Sequence, residues 1–279
     1  MNTLPLRLCL VGAGISRSPS PLMHQAAMQS TGVEGTYVIR DLAPDDIDRF
    51  VNELRDGHYN GCNVTTPYKA VLAARCDLLE GDAAESLGVV NTITVRGNRL
   101  VGATTDADGF ELALSRASMW PRQGATALVL GAGGAAAAVA LALTRVPLLR
   151  LRIAARRESA ATGLIDRLRG SGDVATVPWD RDAIAATCAH SAIVVNATPA
   201  GLDALPFDPR ALPTACSMVD LRYRPRPVDV VAAALESGHR ASDGLEMLLQ
   251  QGLLSFEIWT GRIAPAGAVR NALLRAVEA

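Results

Sequence analysis

Residues 128–136 read Leu-Val-Leu-Gly-Ala-Gly-Gly-Ala-Ala. Glycines at 131 and 133 and a small residue at 136, after an apolar run and before an alanine-rich stretch, match the turn that seats a dinucleotide's pyrophosphate at a helix N-terminus. Gly131 makes the turn, Gly133 lets the backbone approach the phosphates, and Ala136 lets the helix pack closely on the strand. About 20 residues further on, where NAD sites place a carboxylate for the ribose 2′-hydroxyl, the chain reads Ala155-Arg156-Arg157 with no acid before Glu158. Two guanidinium groups favour a 2′-phosphate through charge-assisted hydrogen bonds, so NADP is the expected cofactor, with NAD possible. Asn196-Ala197-Thr198-Pro199-Ala200-Gly201 closes a later strand, again on the edge where open parallel sheets bind ligands.

The first half carries polar motifs of a different kind. Gly12-Ala13-Gly14 starts like a second fingerprint, but Arg17 is too bulky for close packing of helix on strand. The following Ser18-Pro19-Ser20-Pro21 holds two hydroxyls on a proline-stiffened loop near a helix start, which suits an anion such as a carboxylate; Ser20 equally suits a helix N-cap. Asn63-Val64-Thr65-Thr66-Pro67-Tyr68-Lys69 places polar groups at the carboxyl end of a short strand. A lysine opening a helix is disfavoured by the helix dipole, which argues for a role, against the alternative of a solvated surface lysine. Thr104-Thr105-Asp106-x-Asp108-Gly109 stands where the first half hands over to the second, and Asp106 there serves as an N-cap or as an acid/base partner. Asn91, after the apolar pair Val89-Val90, should be half buried and hydrogen-bonded, in a structural or a functional role.

These motifs must be positioned by an alternation of strand-like and helix-like segments, which indicates an α/β class with parallel sheets. Strands are expected at 6–11, 36–39, 61–65, 90–95 and 100–103, the last two joined as a hairpin around Arg96-Gly97-Asn98. Ser20 is expected to cap a helix that Gly32 ends; Ile47, Phe50, Val51 and Leu54 mark an amphipathic helix closed by Gly57, and another helix starts near Tyr68. In the second half strands are expected at 125–130, 149–155, 174–177, 193–196 and 218–221, and two helices at 245–260 and 265–277 close the chain. About 120 residues precede the glycine turn, enough for a separate domain, so a substrate domain comes first and a cofactor domain second.

Composition narrows the partners. With 27 basic and 28 acidic residues the net charge is −1, so no nucleic-acid partner is expected. The 21 uncharged residues from 124 to 144 hold the glycine turn and many alanines, and read as a buried strand, turn and helix rather than a membrane span. Five scattered cysteines without a C-x-x-C pair fit reduced thiols, and one arginine followed by a strand is not a signal-peptide pattern, so a cytoplasmic location is expected. No metal site is expected, and a monomer and a homodimer both fit.

The chain resembles the shikimate/quinate dehydrogenase family along essentially its whole length. The matches are Ser18-x-Ser20-Pro21-x-x-His24, Asn63-Val64-Thr65-x-Pro67-Tyr68-Lys69, Val90-Asn91-Thr92, Gly102-x-x-Thr105-Asp106-x-x-Gly109, Gly131-Ala132-Gly133-Gly134-Ala135, Asn196-Ala197-Thr198-Pro199-x-Gly201 and Asp243-Gly244-x-x-Met247-Leu248-x-x-Gln251. Each is modest alone; seven in order form a specific signal. The resemblance implies an N-terminal α/β substrate domain with a mostly parallel sheet (1–105 with 244–279), a C-terminal Rossmann-type doubly wound domain (106–243), and a cleft between them. It also implies reversible hydride transfer between a nicotinamide and the C3 oxygen of a cyclohexene or cyclohexane carboxylate. Lys69 and Asp106 would be the catalytic pair. Ser18, Ser20 and Tyr223 would hold the carboxylate, and Thr65, Asn91 and Gln251 the ring hydroxyls. Gly131, Gly133, Gly134, Ala135, Arg156, Arg157, Asn196, Thr198 and Gly244 would line the cofactor, and His24 would be structural. Ser20 leans toward shikimate, since quinate-preferring relatives tend to carry a threonine there.

Three departures stand out from the family pattern. Thr104 replaces an asparagine beside Asp106, Ala155-Arg156-Arg157 replaces Asn-Arg-Thr, and the segment from Leu221 to Pro227 is about two residues short and carries Arg222, Arg224 and Arg226. Those arginines either alter substrate range or are simply solvated. Quinate/shikimate or aminoshikimate dehydrogenases are the neighbouring readings; a non-catalytic dinucleotide sensor is the distant one, against which the retention of both Lys69 and Asp106 argues.

Overall fold

The computed structural model describes residues 5–168 and 170–278. It divides the chain into two compact units, one running up to Thr105 and again from Leu249, the other spanning Asp106–Leu248.

In the first unit six strands, β1 (Leu6–Gly12), β2 (Gly35–Asp41), β3 (Gly61–Val64), β4 (Leu78–Leu79), β5 (Thr92–Arg96) and β6 (Arg99–Ala103), form one sheet in the order β2-β1-β3-β5-β6-β4. β1 is parallel to β2 and β3, and β4 to β6; the β5–β6 hairpin brings in the antiparallel pairings. Ile47, Phe50, Val51 and Leu54 bury one stripe of the helix Ile47–Arg55 against Cys9, Val11, Cys62, Val64, Val90, Ile93 and Leu100, as the i, i+3, i+4, i+7 spacing requires. The helix Ser20–Thr31 buries Met23, His24, Ala27 and Met28 and packs against the last helix, Ala266–Glu278.

The second unit is a six-stranded parallel sheet of β7 (Thr126–Leu130), β8 (Arg150–Ala154), β9 (Asp173–Val177), β10 (Ile193–Asn196), β11 (Ser217–Asp220) and β12 (Arg240–Asp243). Its order, β12-β11-β10-β7-β8-β9, is the doubly wound one, with the reversal between β7 and β10 where such sheets bind ligands. Every residue of β7, β10 and β11 is buried, as expected for a parallel sheet covered on both faces.

Several local expectations need correction. Pro19, not Ser20, is the N-cap residue; Ser20 lies inside the first helical turn and its side chain caps nothing. β4, β12 and the six-residue helix Asp82–Leu87 have no counterpart among the elements expected from the sequence. Among the described residues no helix is long and apolar enough to cross a membrane, and no cluster of His, Cys, Asp or Glu could hold a metal.

Candidate active site

β1 runs into the loop at residues 12–19 without forming a phosphate seat. Asp41, the register partner of Gly12 across β1 and β2, accepts hydrogen bonds from the Gly14 and Ile15 amides at 2.8 and 3.1 Å. A carboxylate of the chain itself therefore occupies the place an external anion would take at this turn. Beyond it Ser18 donates to the Ser20 hydroxyl at 3.1 Å and also accepts from the Ser20 amide at 3.3 Å. The two serines thus form one hydroxyl pair at the entry to the helix Ser20–Thr31.

β3 delivers the next group. The Thr65 amide extends the sheet by donating to the Val11 carbonyl at 2.9 Å, and the buried Tyr68 hydroxyl anchors to the Leu42 carbonyl at 2.7 Å. Lys69 then opens the short helix Lys69–Ala73 and is half-buried. Its carbonyl accepts the Val90 amide at 3.1 Å, which sets Lys69 beside the residue preceding Asn91.

Asn91 is 2% exposed and stands at the centre of a polar cluster. Its Oδ1 accepts from the Thr105 amide at 2.9 Å and the Thr92 hydroxyl at 2.8 Å. Its Nδ2 donates to Thr105 Oγ1 at 2.9 Å and to Gln251 Oε1 at 3.0 Å. A backbone amide can only donate, so the Thr105 bond fixes which amide atom is which. Asn91, Thr105 and Gln251, separated by up to 160 residues in sequence, are thus brought together within the first unit. Asp106 follows Thr105 directly, opens the helix Asp106–Arg116 and is 6% exposed.

His24 lies behind this cluster, 1% exposed, its ring stacked on Tyr37 at 4.3 Å and tilted against Trp259 at 5.5 Å. Among the described residues neither ring nitrogen has a hydrogen-bond partner. Burial pushes its pKa down to about 3, against a smaller opposing pull from the Asn63 side chain, so the ring is a neutral packing element.

In the second unit the glycine turn differs from the first one in the feature that matters. Gly131 has φ +113°, and a Cβ there would lie 3.0 Å from the Ala197 carbonyl oxygen. Gly133 caps the helix Gly134–Thr144 without any side-chain hydrogen bond, and a Cβ on it would meet nothing within 4 Å. Among the described residues no carboxylate plugs these amides, and buried Ala136, Ala137 and Ala138 hold the helix close to the sheet. Gly134 and Ala135 form its first turn. Arg156 and Arg157 follow β8, both exposed and without an ion pair to any described residue.

The other second-unit residues sort into groups facing inward and groups at the sheet edge. Asn196 is wholly buried and spends its amide on the chain: Nδ2 donates to the Ala200 carbonyl and to Asp220, each at 3.0 Å, while Oδ1 accepts from the Thr198 amide and hydroxyl at 3.1 and 2.6 Å. It shapes the loop that presents Thr198. Arg222 reaches the buried Asp220 at 2.7 Å and Asp229 at 2.6 Å, and Arg226 reaches Asp243 at 2.6 Å. These two arginines are tied down in ion pairs, so the expectation that they are simply solvated does not hold for them. Tyr223 is half-buried, and burial raises its phenol above the ordinary range, with Arg224 pulling the other way. A Cβ on Gly244 would sit 2.0 Å from the Leu221 carbonyl oxygen, so this glycine is required by close backbone packing.

Several polar residues of the cluster were missed by the sequence reading. Asn63 and Thr92, named there only as parts of motifs, and Ser255 and Tyr37 complete the hydrogen-bonded set around Asn91. The one signal available was that Ser255 and Trp259 follow Gln251 at intervals of four, on one helix face.

Residues 10–93 match the family model described as the shikimate dehydrogenase substrate binding domain, and residues 244–274 the one for the shikimate 5'-dehydrogenase C-terminal domain. The chain is 40% identical over 269 residues to the shikimate dehydrogenase (NADP(+)) of Rubrobacter xylanophilus, covering 95% of this chain and 94% of that protein. Among solved structures it is similar to shikimate 5-dehydrogenase of Thermus thermophilus in complex with NADP(H) and shikimate, with 33% identity, a TM-score of 0.85 and 97% and 99% of the two chains covered. It is also similar to the quinate dehydrogenase of Corynebacterium glutamicum in complex with NAD, at 27% identity and a TM-score of 0.88, over 97% and 99% of the chains. With its motifs in order and close relatives over nearly all its length, the chain belongs to the shikimate dehydrogenase family.

Proposed function

We propose that the chain is an NADP-dependent shikimate dehydrogenase that interconverts shikimate and 3-dehydroshikimate. The observation that carries this reading is the buried Asn91–Thr105–Gln251 constellation next to Lys69 and immediately ahead of Asp106. A set of amides and hydroxyls already oriented by the chain is what recognition of a polyhydroxylated ring needs, because such a site rejects analogues lacking a hydroxyl. Substrate is assigned to residues 1–105 with 244–279, and the dinucleotide to 106–243.

The paired hydroxyls of Ser18 and Ser20, with Tyr223, hold the ring carboxylate. Thr65, Asn91 and Gln251 read the ring hydroxyls, a substrate oxygen exchanging with the 3.0 Å Asn91–Gln251 bond. Lys69 takes the proton from the C3 oxygen as the ketone forms and gives it back in the reverse direction, with Asp106 as its partner in the catalytic pair.

The second unit suits a phosphorylated dinucleotide on three observations: a glycine turn with room for a close backbone approach, helix amides with no side-chain cap, and two exposed arginines with no acid ahead of them. Gly131, Gly133, Gly134 and Ala135 would hold the pyrophosphate, Arg156 and Arg157 the 2′-phosphate, and Thr198 and Gly244 the nicotinamide side, with Asn196 shaping the loop. Held there, NADP would supply the acceptor for the C3 hydride, and NADPH the donor in the reverse direction. We place the enzyme in the cytoplasm, where its five free thiols stay reduced, working on a small molecule as a monomer or a homodimer.

Incubating the purified protein with shikimate and NADP should yield NADPH and a 3-keto product in equal amounts, the latter identified by chromatography against authentic 3-dehydroshikimate. Absence of turnover in both directions over the neutral to alkaline range would overturn the reading.

A further inference from the structure

The cluster around Asn91 continues inward through groups that no substrate atom would touch. Tyr37 donates its hydroxyl proton to Asn63 Oδ1 at 2.8 Å. Asn63 Nδ2 donates to the Asn91 carbonyl and to Ser255 Oγ, each at 3.0 Å. Ser255, wholly buried, lies 2.8 Å from Thr92 Oγ1 and 2.9 Å from the Gln251 carbonyl. Thr92, also wholly buried, lies 2.8 Å from Asn91 Oδ1, and Thr105 Oγ1 lies 2.9 Å from the Gln251 carbonyl.

The hydroxyls of Thr92, Thr105 and Ser255 have one proton each, whereas four oxygen–oxygen contacts among them and their acceptors are 2.9 Å or shorter. Asn91 Oδ1 and the Gln251 carbonyl oxygen cannot donate. Thr105 serves the Gln251 carbonyl. If Thr92 gives its proton to Asn91, then the Thr92–Ser255 contact holds a proton only if Ser255 supplies it. If Ser255 instead turns to the Gln251 carbonyl, an acceptor already served by Thr105, the Thr92 proton has two competing acceptors, Asn91 Oδ1 and Ser255 Oγ. The direction of one buried serine proton therefore favours or weakens the second donor to the Asn91 amide oxygen.

We propose that Ser255 is a positioning residue for substrate recognition: by donating to Thr92 it commits the Thr92 proton to Asn91 and locks the amide that in turn holds Gln251 Oε1. A ring hydroxyl oxygen that exchanges into the Asn91–Gln251 bond then meets an Asn91 Nδ2 proton already aimed at it. The inference rests on the assignment of Asn91 and Gln251 to the ring hydroxyls. It adds a residue that acts through two others and touches neither substrate nor cofactor.

The test is a set of steady-state measurements on Ser255→Ala, Thr92→Val, Thr92→Ser and the double variant Ser255→Ala/Thr92→Val, with shikimate and with an analogue lacking one of the ring hydroxyls at C4 or C5. Ser255→Ala and Thr92→Val should each raise KM for shikimate about tenfold, in line with loss of one buried hydrogen bond, while KM for NADP stays at the wild-type value. Discrimination against the deoxy analogue should fall by a similar factor. Thr92→Ser, which keeps the hydroxyl, should restore KM, and the double variant should be no worse than Thr92→Val alone, because both substitutions break one chain of bonds. A merely structural role would lower thermal stability with KM and discrimination unchanged. That result, or additive effects in the double variant, overturns the proposal. Thr92→Val carries the test alone where Ser255→Ala does not fold. Wild-type protein that fails to oxidise shikimate overturns the functional reading, and this inference with it, whereas active wild type with unaltered variants overturns the inference alone.

Discussion

Lys69 and Asp106 enter the account with different structural support. Lys69 is half-buried at the start of a helix whose dipole does not favour it, while Asp106 is nearly inaccessible at the start of another, where a carboxylate is favoured. If both act on the C3 hydroxyl, Lys69→Ala and Asp106→Ala should each lower kcat by about 10²–10⁴-fold while circular dichroism and thermal melting stay close to wild type. More than about half of wild-type kcat in Lys69→Ala would remove it from proton transfer. His24 gives a second prediction at this scale. Its imidazole titrates near 3 when folded and near 6.5 when unfolded, so between those values the unfolded chain binds one more proton and stability falls as pH falls. From pH 7.5 to 5 this group alone should cost about 2 kcal/mol, measured by urea denaturation, and His24→Phe should flatten that part of the slope. A slope unchanged by the substitution would contradict the burial argument. The hydrogen bonding expected for Asn91 was legible from the two valines ahead of it, although at 2% exposure it is buried rather than half buried. The chain from Tyr37 through Asn63, Ser255 and Thr92 was not, because only the folded sheet and helix bring together residues as far apart as Thr92 and Ser255, 163 positions from each other in sequence.

At the scale of elements, long and strongly patterned segments were the readable ones. The amphipathic helix Ile47–Arg55, the strand β10 and the helix Leu245–Thr260 all lie where periodicity and punctuation put them. Those that were missed have no pattern of their own. β12 reads Arg-Ala-Ser-Asp and is a strand because β11 offers it a free sheet edge. β4 is two residues long, and Asp82–Leu87 is a helix of six. The contrast between the two glycine turns was visible in outline through Arg17, but its physical cause, the Asp41 carboxylate at the end of β2, needed the register of a neighbouring strand. Gly244 supplies the prediction here. Its neighbour is a backbone carbonyl that cannot swing aside, so Gly244→Ala should cost about 3 kcal/mol of stability by overpacking, seen as a lowered Tm without NADP present. A variant as stable as wild type, impaired only in KM for NADP, would instead make this glycine a cofactor contact alone.

The whole molecule joins a mixed sheet to a doubly wound parallel one, and the family likeness extends over 95% of the chain. Two of the three departures from the family pattern, at 155–157 and 221–227, lie in the second unit. Arg222 and Arg226 are held by carboxylates, whereas Arg156 and Arg157 are exposed and form no ion pair with a described residue. Exposure weakens each contact through solvent and salt, so the preference for NADP over NAD should lie near tenfold rather than a hundredfold. Arg156→Ala/Arg157→Ala should raise KM for NADP by about that factor and leave KM for NAD nearly unchanged. The central claim is tested most directly by kcat/KM of the unmutated enzyme for shikimate and quinate, each with NADP and with NAD, under one set of conditions. The account predicts that shikimate with NADP is the best of the four pairs, about tenfold above shikimate with NAD. Equal or better kcat/KM with NAD, or quinate preferred over shikimate with either cofactor, would contradict it.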